Sequence, residues 1–102
     1  MTSEGNGQPE LYKVIVSSQI GQEIKRLHQE AAAQGRGQQF LSSLRAIHDR
    51  LVNDPLNFGE PAYRLPLLKL MLYYVVVGLV AVDYAVQQEK RLVFLKGVKM
   101  LD

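Results

Sequence analysis

From Leu67 to Leu101 the chain reads as three apolar segments, Leu67–Val77, Leu79–Val86 and Arg91–Leu101, separated by Gly78 and by Gln87-Gln88-Glu89-Lys90. Segments this short, rich in Val, Leu and Tyr and joined by tight breaks, predict an antiparallel β-meander. The charge-free run Leu70–Val82 raises the question of a membrane span, but it has only 13 residues between Lys69 and Asp83. A spanning helix needs about 20. Gly78 also splits the run, so two strands are expected there and no membrane association.

Upstream the period changes. Tyr12–Val16 reads as a first strand, and Ser17-Ser18 offers a hydroxyl to cap the helix that follows. Ile20, Ile24, Leu27 and Ala31 form a helical stripe, and Gly35-Arg36-Gly37 ends it, because glycine adopts the left-handed cap conformation at little cost. A second stripe, Phe40, Leu44, Ile47 and Leu51, runs to Asn53-Asp54-Pro55, where the residue before proline disfavours the helix. Leu56–Pro61 reads as a loop. Ala62–Leu65 reads as the start of extended structure that Pro66 interrupts or leaves at an edge. The predicted order is β-α-α-β-β-β, an α+β fold with an antiparallel sheet packed on a two-helix hairpin.

At 102 residues and 47% hydrophobic content the chain is expected to form one domain with its own core. Residues 1–10, polar and Gly-rich, read as a flexible tail ahead of a domain over 11–102. They lack the basic start and apolar core of a signal peptide. With no Cys, thiolate metal sites, cysteine nucleophiles and disulfide scaffolds are excluded, which fits a cytoplasmic location.

Charge is uneven. Residues 61–102 carry Arg64, Lys69, Lys90, Arg91, Lys96 and Lys99 against Asp83, Glu89 and Asp102, whereas the first 60 residues are slightly acidic. Arg64, Lys69, Lys96 and Lys99 are therefore the candidate contacts for nucleic acid or an acidic partner, beside the alternative of an ordinary solvated surface. Gly5-Asn6-Gly7 and Gly35-Arg36-Gly37 lack the spacing of a phosphate loop. His28 and His48 lie beside the two stripes and could meet across the hairpin, or else be separate helix-edge imidazoles. No metal site and no cofactor are expected. Ser17, Ser18, Ser42 and Ser43 read as caps or helix surface. Tyr63, Tyr73, Tyr74 and Tyr84 read either as base-stacking or proton-donating groups, or as cross-strand aromatics with hydroxyls at the rim. Lys96 and Lys99 fall on opposite faces of a regular strand; a bulge at Gly97 would change that.

The element order, together with Asp54-Pro55, Gly59-Glu60, Gly78 followed by Tyr84-Ala85-Val86, and Leu92-Val93-Phe94-Leu95-Lys96-Gly97-Val98, resembles the RelE/ParE superfamily of bacterial toxin–antitoxin toxins from about Tyr12 to Leu101. The resemblance implies a toxin with a protein antitoxin as partner, directed at RNA on the ribosome or at gyrase. Ribonuclease members use cations and often a tyrosine on the sheet, because 2′-hydroxyl attack needs a base, charge stabilisation at phosphorus and an acid. In this chain the positions where the resemblance puts those groups hold Leu72, Tyr74, Val80, Ala81, Met100 and Leu101.

Three functions follow as alternatives. The first is a toxin or toxin-derived protein acting by binding rather than by standard RNA cleavage. The second is a messenger RNA endonuclease with relocated groups, for which Tyr74, Lys96 and Lys99 are the catalytic candidates. The third is a non-toxic α+β interaction protein, with a homodimer among its expected assemblies.

Overall fold

A computed structural model describes residues 11–101; the tail expected over residues 1–10 lies outside the described residues. The elements are β1 (Lys13–Ile15), α1 (Ser18–Ala33), α2 (Gly37–Asn53), β2 (Glu60–Leu65), β3 (Leu70–Val77), β4 (Val80–Gln87) and β5 (Leu92–Met100), with 3-10 turns at Pro55–Asn57 and Pro66–Leu68. They form an α+β fold in which a five-stranded sheet of order β1-β5-β4-β3-β2 is covered on one face by the two helices.

The helices begin and end where their sequence directs. Ser17 Oγ accepts from the Ile20 amide at 3.2 Å, capping α1. At the other end Gly35 takes φ +75°, while the Arg36 and Gly35 amides donate to Ala31 and Ala32 carbonyls, closing the helix with a Schellman pair. Every residue of the two predicted stripes lies in the core cluster or packs against it; Leu27, Ala31, Phe40, Ile47 and Leu51 are buried outright. Each such side chain contributes about 1.5–3 kcal/mol where it is Leu, Ile or Phe.

The sheet differs from expectation in two respects. It has one more strand than the predicted order, because the extended stretch expected over Ala62–Leu65 is a strand of its own, set off from β3 by the turn at Pro66–Leu68; that strand also starts earlier, with Glu60 and Pro61 in β2 and not in a loop. Pro61 is tolerated since β2 is an edge strand, and the register shifts between Pro61 and Tyr63, so that Ala62 is an extra residue. The sheet is also mixed: β1 pairs parallel with β5, with Val14 opposite Val93. Parallel neighbours need a long crossover, and the helical hairpin with the meander provides it. The remaining pairs are antiparallel. Gly78 (φ +57°) opens the two-residue loop between Val77 and Val80, a positive φ that glycine accepts in a tight hairpin. No helix among the described residues is long and apolar enough to cross a membrane.

Candidate functional site

Strand alternation divides the sheet side chains into two sets. Tyr73, Val80, Val82, Tyr84, Val86, Val93 and Leu95 join the helices in the core. On the other face, which no helix covers, the register sets Tyr74 opposite Asp83 and Asp83 opposite Gly97, and, one pair along, Val76 opposite Ala81 and Ala81 opposite Lys99. Leu72, Ala85 and Phe94 form a third such row. Ala81 and Ala85 lie at the middle of this face yet are 1% exposed. Their small side chains sit below the larger neighbours, giving two shallow apolar patches with the exposed Asp83 between them on the central strand and Lys99 beside Ala81.

The candidate catalytic residues meet this face in part. Tyr74 is on it and partly exposed, as is Lys99. Lys96 is the extra residue of a bulge: Tyr84 pairs with Leu95 while the adjacent Asp83 pairs with Gly97. Strict alternation, which would separate Lys96 from Lys99, therefore does not hold, and both lysines are exposed. Gly97 suits its place beside Asp83, since a Cβ there would lie 3.1 Å from the Asp83 carboxylate. Leu72 and Ala81, two positions where the resemblance calls for cations, lie on the same face and are apolar. Met100 pairs with Val80 and packs against the core.

Arg64 and Lys69 come together elsewhere. Both line a cavity of about 380 Å³ on the helix side, near the β2–β3 connection, with Leu56, Met71, Tyr73 and Val86. Lys69 Nζ lies 3.0 Å from the Glu89 carboxylate.

The histidines do not meet. His28 stacks on Phe40 with ring centroids 5.9 Å apart. His48 is exposed and lies eight residues further along α2, a rise of about 12 Å. Among the described residues no group of three or more His, Cys, Asp or Glu is placed to hold a metal ion.

Three residues read from sequence as peripheral, Ser43, Tyr73 and Tyr84, are internal. Ser43, expected on the helix surface or at a cap, is 5% exposed. Its Oγ donates to the Gln39 carbonyl at 3.0 Å and accepts from the Leu79 amide at 3.2 Å, tying α2 to the β3–β4 turn. Tyr84, allowed a hydroxyl at the rim, is fully buried. Burial pushes its phenol up to about 12. Burial also raises the Tyr73 phenol, whose ring stacks on Tyr84 at 5.1 Å. Only the position of Ser43 next to the helical stripe residue Leu44 hinted at its burial.

No family model, no curated protein and no solved structure matches this chain.

Proposed function

We propose that the chain is a RelE/ParE-like toxin, or a protein derived from one, that acts by binding through the helix-free face of its sheet. The observation that supports this reading most is the chemistry of that face. It has an exposed apolar rim in Tyr74 and Val76, 38% and 46% exposed, around the buried Ala81 and Ala85. Apolar surface interrupted by few charges, here the central Asp83 and the neighbouring Lys99, is suited to a protein partner. It lacks cations at Leu72 and Ala81, so it lacks the clustered charge that stabilises a phosphorane.

The test is expression of the full chain in a bacterium without a partner. Growth arrest, relieved by co-expressing the small protein encoded beside it, is the expected result. Unimpaired growth at high expression overturns the reading.

A second reading is a messenger RNA endonuclease. It is supported by the β5 bulge, which breaks the alternation that would divide Lys96 from Lys99, and by Tyr74 sharing a face with Lys99. Here Lys96→Ala and Lys99→Ala should each relieve toxicity and slow RNA cleavage in vitro. Cleavage that survives both substitutions removes this reading.

A further inference from the structure

The register brings the C-terminal end of β2, the N-terminal end of β3, the C-terminal end of β4 and the N-terminal ends of β5 and β1 to one edge of the molecule. The strand ends and turns there carry Lys13, Arg64, Lys69, Lys90 and Arg91 against Glu89. The 380 Å³ cavity opens at this edge, with Arg64 and Lys69 in its wall. The apolar Leu56, Met71 and Val86 line it too, with Gln88 among its polar groups. Tyr73 also lines it and is only 6% exposed. Among the described residues the Tyr73 hydroxyl makes no hydrogen bond, although buried phenols normally have a partner.

We propose that this cavity binds a small organic anion with an apolar body. Its carboxylate or phosphate head lies between the Arg64 guanidinium and the Lys69 ammonium and accepts from the Tyr73 hydroxyl. Its hydrocarbon part covers Leu56, Met71 and Val86. The volume is within the range of small-molecule sites, which combine apolar walls with a few convergent polar groups. Arg64 supplies a fork that matches either head. Glu89, now the ion-pair partner of Lys69, competes with the ligand and sets a threshold against weak anions. This site is on the opposite side of the sheet from the face invoked for the toxin reading, and the two stand or fall separately.

Calorimetric titration of the full chain with butanoate, octanoate, octyl phosphate and inorganic phosphate tests the proposal. One saturable site is expected for octanoate or octyl phosphate, and the tighter of the two identifies the head. Each methylene buried multiplies affinity by about fourfold, so octanoate should bind well over tenfold tighter than butanoate, and inorganic phosphate should trail octyl phosphate likewise. Arg64→Gln should weaken binding about tenfold or more, because it removes a charge-assisted contact. Tyr73→Phe should weaken it several-fold, and Glu89→Gln should strengthen it by freeing Lys69. Arg64 and Glu89 are exposed, so these two variants should melt as the parent does. No saturable heat with either eight-carbon anion overturns the proposal, as does binding unchanged in Arg64→Gln and Glu89→Gln.

Discussion

The Tyr84 hydroxyl donates to the Pro55 carbonyl at 2.7 Å and accepts from the Gly59 amide at 2.8 Å. A side chain from the middle of the central strand thus holds both ends of the link between α2 and β2. The link holds one 3-10 turn, Pro55–Asn57, and two of its backbone groups, one near each end, depend on this phenol. Tyr84→Phe keeps the ring and its stacking but strands a buried acceptor and a donor. The expected loss is about 1–3 kcal/mol, read in urea melts as a lower midpoint at unchanged m-value. A midpoint equal to that of the parent would show that water replaces the hydroxyl.

The same hydroxyl sets an alkaline limit on stability. Its phenol is raised from about 10 to about 12, mainly by burial. A raised pKa in the folded state means that the unfolded chain releases the proton first. The contribution is therefore fully present below about pH 10, falls as pH rises, and is gone above about 12. Tyr84→Phe should flatten that part of the stability profile. Absorbance titration near 295 nm should show one tyrosine fewer in the last wave of ionisation. A parent profile that is flat between pH 10 and 12 contradicts the assignment.

Gly59 is needed for space rather than for its backbone angle. A Cβ there would come within 2.9 Å of both the Tyr74 carbonyl oxygen and the Tyr84 hydroxyl. Neither is the free end of a flexible side chain. Gly59→Ala should cost about 1–3 kcal/mol through forced displacement. Combined with Tyr84→Phe it should cost less than the separate effects added, because the phenylalanine removes one of the clashing atoms. Strict additivity would mean that the two residues act independently.

These contacts show where the sequence is readable and where it is not. The stripes Ile20–Ala31 and Phe40–Leu51 are legible because burial repeats at helical spacing, and every stripe residue lies in or against the core. The meander is legible from Gly78 and from the polar turn after Val86. Only the start of the strand Glu60–Leu65 is hidden, by Pro61, which marks a break in most strands but is harmless on an edge where its missing N–H goes unused. Parallel pairing of β1 with β5 leaves no local mark at all, since it joins Lys13 to Leu92 across nearly the whole domain. The bulge that decides where Lys96 and Lys99 lie is likewise a property of pairing. Glycine at position 97 hints at it, but only the partner Asp83 fixes it. For the candidate sites, residue types were visible and juxtapositions were not. Arg64 and Lys69 are five residues apart, yet nothing local tells that they share a cavity with Tyr73.

Ser43 tests how far a single hydroxyl joins helix to sheet. Ser43→Ala removes its bond to the Leu79 amide and leaves that group near the β3–β4 turn without its partner. A loss of about 1 kcal/mol is expected, with faster amide exchange at Leu79 than at the flanking strand positions. Leu67→Ser is the control, because Leu67 is 99% exposed and a surface change of this kind stays within about 0.5 kcal/mol. Exchange at Leu79 that is unaltered in Ser43→Ala would assign the amide's protection to the turn alone.

The helix-free face offers the sharpest separation of the two functional readings. Val76 is 46% exposed and pairs with Ala81, whose other neighbour is Lys99. Val76→Asp adds a charge to the apolar rim without opening the core, so the fold should lose no more than about 1 kcal/mol. If the face works by apolar contact, this variant should lose growth arrest and antitoxin capture together, because a desolvated carboxylate costs several kcal/mol in an interface. Lys99→Ala should leave both largely intact, since it removes a rim charge and no apolar area. An endonuclease predicts the reverse order: Lys99→Ala disables it by removing a cation, and Val76→Asp weakens RNA contact only through repulsion, an effect that added salt reduces. Growth assays with the two variants, at matched expression and with melting temperatures measured in parallel, decide between the orders. Full toxicity in both variants would mean that neither reading uses this face.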